Sequence, residues 1–311
     1  MTDFGVGMFP TDYSIRPGDM AKAAEERGFE SLWFSEHTNI PVNRETPYLI
    51  GGEMPDQYWH TLDLYVAMTA AAATTTKLKI ANGIALAAYR DPIIMAKEIA
   101  SVDHLSDGRV ILGIGGGWCR EEMENHGVAY RDRWKILREN ILAMREIWTK
   151  DEPEFHGEFV DFDPLWSWPK PVQPGGPPIL LGAVDGTKQF DRVIEYCDDW
   201  APIAPAVFSS FGEDAVWTGQ YHMDSTRDGI QRLRAAAEAA GRPWSEINLT
   251  SYAVGGGSNP GTEGLLPGAE DEARELIDMW FTRLVFIVPP RTADVVLPIL
   301  DQYAELAQRL S

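Results

Sequence analysis

Val110-Ile111-Leu112-Gly113-Ile114-Gly115-Gly116-Gly117-Trp118 is the stretch on which the reading of this chain turns. An apolar β-like run breaks into glycines, and such a loop lets a planar, anionic ligand approach main chain where no side chain holds it off. A dinucleotide fingerprint is excluded, because Gly-x-Gly-x-x-Gly needs glycine where Trp118 stands and a helix starting at once. What the loop is for depends on the sheet that carries it.

Working outward, Asp3 to Phe9 reads as a first strand, followed by a helix over Asp19 to Arg27 that Gly28 closes. Ser31 to Ser35 is a second strand. A loop holding Pro41, Pro47, Gly51, Gly52 and Pro55 leads to a helix from about Tyr58 to Thr75, then a third strand, Leu78 to Ala85. Pro92 opens the third helix at a favourable first-turn position. The glycine stretch ends the fourth strand, Arg109 to Ile114, whose helix is Arg133 to Thr149. Beyond it, Glu154 to Phe162 alternates around Gly157 like a small hairpin, and Pro164 to Pro178 is a Pro/Trp-rich loop.

The alternation then resumes. Ile179 to Leu181 pairs with a helix over Thr187 to Tyr196, and Asp199 to Pro202 with Thr226 to Ala240. Asn248 to Val254 pairs with Glu270 to Thr282, and Leu284 to Val288 with Ala293 to Gln308. The short run 199–202 lies beside prolines and suits a loop as well as a strand. Eight strand–helix pairs predict an α/β chain folded as a closed (β/α)8 TIM barrel rather than an open doubly wound sheet. No long polar or Pro/Gly linker divides residues 1–311, so one domain is expected.

Composition narrows the partners. A net charge of −20, from 27 Lys and Arg against 47 Asp and Glu, opposes binding to nucleic acid or anionic lipid through the general field, so local donors must hold any anionic ligand. The longest low-charge run, Leu64 to Thr76, falls short of the roughly 20 residues of a membrane span and reads as a buried helix. No export-type segment opens the chain, and a cytoplasmic protein is expected. Cys119 and Cys197 have no paired spacing, and histidines 37, 60, 104, 126, 156 and 222 no ligand spacing, so no metal is expected. His-Glu-x-x-His, a Walker loop and Gly-x-Ser-x-Gly are absent. Ser167-Trp168-Pro169-Lys170 and Asn248-Leu249-Thr250 are chance matches to short motifs.

In a barrel of this kind the chemistry gathers after the strands. The second strand ends in Ser35-Glu36-His37, where His37 either caps the strand or donates a hydrogen bond or proton near neutral pH. Asn82-Gly83-Ile84 after the third strand places a glycine where backbone approaches a ligand or where the barrel packs tightly. Trp118 either offers a flat face to a ring or closes the barrel top. Gly182-Ala183-Val184-Asp185-Gly186-Thr187-Lys188 runs into a helix N-terminus suited to a phosphate, with Asp185 opposed unless it points outward. The same Gly/Thr start serves equally as plain helix capping.

The chain resembles the luciferase-like monooxygenase superfamily, and within it the coenzyme F-420-dependent oxidoreductases. The likeness runs from Phe4-Gly5-Val6 and Phe9-Pro10-Thr11 through Ser31-Leu32-Trp33-Phe34-Ser35-Glu36-His37 to Tyr89-Arg90-Asp91-Pro92 with Ala96-Lys97-Glu98. It continues in Leu105-Ser106-Asp107-Gly108-Arg109, the glycine stretch, Glu121-Glu122-Met123, Asn125-His126-Gly127 and Trp166-Ser167-Trp168-Pro169-Lys170-Pro171.

This resemblance implies an isoalloxazine-like ring across the strand ends, over a non-proline cis peptide that would here be Gly83–Ile84. In the similar sugar-phosphate dehydrogenases, a histidine after the second strand and a glutamate after the fourth-strand glycines serve the proton chemistry. His37 matches the first; Trp118 stands in the place of the second, which favours a different substrate.

The expectation is therefore an oxidoreductase moving hydride between F-420 (8-hydroxy-5-deazaflavin) and a small organic substrate, with His37 catalytic. Glu36, Asn82, Gly83, Ile84, Gly115, Gly116, Gly117, Trp118, Gly182, Ala183, Gly186, Thr187 and Lys188 are expected to hold the cofactor. An FMN-dependent monooxygenase and a non-catalytic flavin or deazaflavin carrier are the alternatives. A homodimer is expected from the resemblance. The loop Thr38 to Asp56 and the Pro/Trp tract are expected to wall the pocket, and Tyr48, Trp59, Trp166 and Trp168 suit a largely apolar substrate.

Overall fold

Each barrel strand sorts its residues by parity. In β1 (Asp3–Met8), Phe4, Val6 and Met8 join the apolar layer beneath the helices, while Gly5 and Gly7 face inward. Neither tolerates a side chain: a Cβ on Gly5 would sit 2.9 Å from the indole nitrogen of Trp33, and one on Gly7 2.8 Å from Ile287 Cδ1. Small inward residues on one strand thus make room for the large inward residues of others.

The computed structural model describes residues 2–48, 52–203, 223–252, 254, 256–257 and 264–311. After β1 come β2 (Ser31–Phe34), β3 (Lys79–Asn82), β4 (Val110–Ile114), β5 (Ile179–Ala183), β6 (Asp199–Pro202), β7 (Asn248–Tyr252) and β8 (Arg283–Ile287). They are parallel neighbours in chain order, and β8 closes on β1 with Asp3 opposite Arg283 and Gly7 opposite Ile287. Trp33, Ala81, Ile111, Leu180, Ala201, Val285 and Ile287 fill the barrel interior.

The helices are α1 (Pro17–Glu26), α2 (Leu64–Ala72), α3 (Pro92–Leu105), α4 (Arg120–Asn125), α5 (Arg133–Thr149), α6 (Thr187–Tyr196), α7 (Met223–Ala239), α8 (Ala269–Asp278) and α9 (Ala293–Leu310). The run 199–202, ambiguous in sequence, is a barrel strand. Other expectations need correction. The second helix starts at Leu64 rather than near Tyr58, because the Asp63 carboxylate caps it by accepting Val66 N–H at 3.0 Å. The third strand ends at Asn82, and the Gly83–Ile84 peptide beyond it is cis. The seventh strand ends at Tyr252, residue 253 lying outside the described residues. Helix α4 and a second small hairpin, Gly256–Gly257 with Gly264–Leu265, were not foreseen.

The floor of the barrel is ionic. Arg283 donates to both Glu30 oxygens at 3.0 Å and to Asp199 at 3.2 Å, and Lys79 reaches Glu30 at 2.6 Å. Burial works against the Glu30 carboxylate, but Arg283 and Lys79 overcome it and hold its pKa down at about 2. At Asp199 burial prevails over Arg283 and the Thr250 hydroxyl, and the pKa is pushed up to about 6.

Candidate active site

A cavity of about 480 Å³ opens at the C-terminal ends of the strands, a volume within the range of small-molecule sites. Phe9 borders it from β1, Ser35, Glu36 and His37 from β2, and Gly83, Ile84 and Leu86 from β3. Gly116, Gly117 and Trp118 follow from β4, Gly182, Ala183 and Val184 from β5, and Tyr252 from β7. The Ser35 hydroxyl donates to the Gly83 carbonyl at 3.4 Å, beside the cis peptide. Under it lies Tyr252, whose ring carbon would be 2.6 Å from a Cβ at Gly83, so only glycine seats the floor there.

His37 is 9% exposed and Glu122, in the first turn of α4, is 2% exposed. The imidazole Nδ1 lies 2.9 Å from one carboxylate oxygen of Glu122 and 3.1 Å from the other. A carboxylate only accepts, so Nδ1 carries the hydrogen and Nε2 is the atom left for exchange. The Tyr89 hydroxyl also donates to Glu122, at 3.3 Å. Tyr58 and Trp118 confine the imidazole, with ring centroids 5.0 and 5.9 Å away, and Tyr48 packs behind both. Glu36 is tied elsewhere: it accepts the Leu86 N–H at 2.7 Å and pairs with Arg90, itself over the Tyr65 ring.

Of the residues expected at the site, His37, Glu36, Gly83, Ile84, Gly116, Gly117, Trp118, Gly182 and Ala183 border the cavity. Asn82 does not; its side chain ties β3 to β4, donating to the Gly113 carbonyl at 2.6 Å and accepting the Gly113 N–H at 3.2 Å. Gly115 lies under Ile84, whose Cδ1 would be 2.5 Å from a Cβ there. Gly186, Thr187 and Lys188 stand off the cavity, with Thr187 and Lys188 exposed. Asp185 points outward to Arg232. Gln189, in the first turn of α6, borders the cavity instead, with Tyr130 just before α5 and Arg133 and Trp134 at its start.

The reason for the glycines is thereby corrected in part. Gly113 admits the Asn82 carbonyl, Gly115 admits Ile84, and Gly116 admits the Trp134 indole, 2.5 Å from a Cβ placed there. Much of the loop serves close packing of this chain's own groups, and only Gly116 and Gly117 leave main chain at the cavity. Glu122 was not assigned a role from sequence. The available signal was an acidic pair, Glu121-Glu122, in the helical turn directly after the glycine loop.

A closed parallel barrel whose strand ends bring together a buried histidine–carboxylate pair and a largely apolar cavity is a TIM barrel with its candidate site at the C-terminal mouth. Residues 16–254 match the family model described as luciferase-like monooxygenase, and the chain belongs to that family. It is 43% identical over 260 residues to an uncharacterized protein of Mycobacterium tuberculosis, covering 81% of this chain and 91% of that one. It is 31% identical over 237 residues to an F-420-dependent glucose-6-phosphate dehydrogenase of Amycolatopsis mediterranei, covering 75% of this chain and 62% of that protein. The crystal structure of monooxygenase RslO1 from Streptomyces bottropensis superposes with a TM-score of 0.76 at 15% identity over the full length of both chains. Among the described residues no helix is long and apolar enough to cross a membrane, and no group of His, Cys, Asp and Glu is arranged to hold a metal.

Proposed function

We propose that this chain is an oxidoreductase that moves a hydride between coenzyme F-420 and a small, largely apolar organic substrate. The observation that carries this reading is the His37–Glu122 pair at the edge of a ring-sized cavity bordered by the small and main-chain surfaces of Gly83, Gly116, Gly117 and Gly182. Kinship with the Amycolatopsis dehydrogenase supports the deazaflavin over FMN. Gly83, Ile84, Gly116, Gly117, Gly182 and Ala183 would seat the ring. Their small or backbone surfaces suit a flat aromatic group, and the cavity volume suits the ring and a small partner together.

Bound there, the cofactor would supply a two-electron hydride donor or acceptor. His37 holds a proton at Nε2, or takes one there, while Glu122 keeps Nδ1–H in place and stabilises the positive charge of the imidazolium. Tyr48, Tyr58 and Trp118 wall that side with apolar surface, excluding water and favouring a substrate that presents one polar oxygen to His37 and carbon to the rings. His37→Ala should lower turnover far more than cofactor affinity.

Titration of the purified protein with oxidised and reduced F-420 and with FMN tests the reading. Micromolar binding of F-420 with weaker FMN binding is expected. Tight FMN binding with oxygen uptake would establish the monooxygenase alternative instead, and binding of neither would overturn the assignment.

A further inference from the structure

Trp166 and Trp168, expected to wall the substrate pocket, do not border it. They stand on the outer surface instead, 80% and 58% exposed. Ser167 between them is buried, so the chain alternates inward and outward there and sends both indoles to solvent. The main chain that carries them is pinned. Lys97 donates to the Trp168 carbonyl, the Leu165 N–H to the Pro153 carbonyl at 3.1 Å, and Lys170 to the carbonyls of Ile147 and Lys150 at 2.6 and 2.5 Å. Two large apolar rings are thus held out on a fixed support, with little left to order when something binds.

Carboxylates rim the space beside the rings. Asp151, Glu152, Trp166 and Trp168 line an open recess of about 730 Å³. Glu152 accepts the Trp166 indole N–H at 3.2 Å and so fixes that ring with a charge beside it. Asp151 lies in ion-pair range of no cation among the described residues and senses Lys170 only from further off. The nearby ammoniums are already engaged, Lys97 and Lys170 by main-chain carbonyls and Lys150 by Glu146. Lys170 also lies 5.0 Å from the centre of the Trp168 ring, while no cation covers Trp166 among the described residues. An exposed indole next to an unpaired carboxylate suits a cation, which the ring face and the carboxylate attract together.

We propose that this recess is a docking surface for an extended, arginine-bearing segment of a partner protein. Charge complementarity selects the occupant. The rim is anionic and the whole chain carries −20, which disfavours a second copy of this chain and an anionic lipid surface alike. A guanidinium stacks its plane on an indole and pairs with a carboxylate through its fork of N–H donors, which an ammonium does not match. The recess is open, so a single small cation would gain one exposed ring contact and one exposed ion pair, each weak. A segment gains several at once, because its alternate side chains, about 7 Å apart, address Trp166 and Trp168 together. None of the four lining residues borders the cavity at the strand ends, so this surface stands apart from the hydride reading.

The test measures fluorescence anisotropy of a labelled peptide of repeating Arg-Gly pairs against the purified chain, with Lys-Gly and Glu-Gly repeats as controls. Micromolar binding of the arginine peptide at low salt is expected, several-fold weaker for the lysine peptide and absent for the acidic one. W166A and the D151N/E152Q pair should each weaken it about three- to tenfold. Both indoles and both carboxylates are exposed, so these variants should melt with wild type. E305Q, which neutralises an exposed carboxylate on α9, should leave the affinity unchanged.

An acidic chain attracts any cationic peptide weakly, and the variants separate that attraction from docking. An equal loss in E305Q, or no loss in W166A and D151N/E152Q, would overturn the proposal. So would displacement of the peptide by tetramethylammonium at equal concentration, which would mark a small-cation site. Self-association abolished by W166A would put a second copy on this face, and adsorption to phosphatidylglycerol vesicles abolished by W166A would put a membrane there; either would overturn the proposal too.

Discussion

Nδ1 of His37 lies 2.9 Å from Oε2 of Glu122, a residue 85 positions further along the chain, and the second carboxylate oxygen is only slightly more distant. Both oxygens of one buried carboxylate therefore address a single ring nitrogen. The pair fixes the ring orientation and the tautomer together, which is what a proton-handling histidine requires. Glu122→Gln keeps the size of the side chain but removes its charge, and its amide can present the wrong group to Nδ1. Turnover should fall about ten- to a hundredfold, with cofactor affinity within about twofold of wild type. His37→Ala should cost more, on the order of a hundred- to ten-thousandfold. Steady-state kinetics with parallel cofactor titrations check both; a loss of affinity as large as the loss of turnover would refute the assigned role.

Gly113 in β4 and Gly115 just beyond its end should respond differently to the same added methyl. At Gly113 the Cβ meets the carbonyl oxygen of Asn82, main chain that cannot retreat without disturbing β3. Gly113→Ala should destabilise the fold by about 2–3 kcal/mol. At Gly115 the clash is with Ile84 Cδ1, the free end of a flexible side chain. Gly115→Ala should cost less than about 1 kcal/mol but push Ile84 upward into the cavity, weakening cofactor binding. Thermal melts and cofactor titrations of the two variants should therefore rank in opposite orders, and matching ranks would refute the packing account.

The barrel was legible because parity and punctuation are local: alternating strand faces, Gly28 after the first helix and Pro92 at the start of the third all act within a few residues. The mouth was legible for the same reason, since strand ends carry their residues with them. The His37 partner was not, because no spacing in the chain connects positions 37 and 122; only the short α4 helix, folded back over β2's end, brings them together. Arg133 and Trp134 were hidden likewise at the start of a helix read only as barrel cladding. Glycine has one identity and two uses, ligand approach and side-chain accommodation, and the sequence does not distinguish Gly116 at the cavity from Gly113 against Asn82.

The barrel floor gives a pH dependence whose sign can be worked out. Asp199 has a folded pKa of about 6, above its unfolded value near 4, so the folded state binds its proton more tightly. Stability from this group falls as pH rises from about 4 through 6, by roughly 3 kcal/mol in total. Glu30 behaves oppositely: with a folded pKa of about 2, its contribution is full above about 4.5 and is lost as pH falls toward 2. Asp199→Asn removes the first titration only. Denaturant unfolding of wild type and variant across pH 4 to 6 should show the variant gaining on wild type as pH rises; a constant difference would contradict the buried-acid account.

The loop that covers His37 is pinned by the residue next to its partner. Glu121 accepts the main-chain N–H of Glu45 at 2.9 Å and of Thr46 at 3.1 Å, and His126 Nε2 reaches Asn39 at 2.8 Å, so α4 clamps the segment after β2 while Glu122 holds the imidazole. Against the upward push of burial, hydrogen bonds from Thr46 and Glu45 hold the Glu121 carboxyl down at about 2. Above pH 4.5 the clamp is therefore fully charged, and it is released only as pH falls toward 2. Glu121→Ala should speed hydrogen exchange at the Glu45 and Thr46 amides by about tenfold at neutral pH, with little change in the amides of the barrel strands. In the wild type the same amides should stay protected at pH 4 and lose protection only under stronger acid. Unchanged exchange in Glu121→Ala would show that the segment is held by the Tyr48–Trp118 contact rather than by the carboxylate.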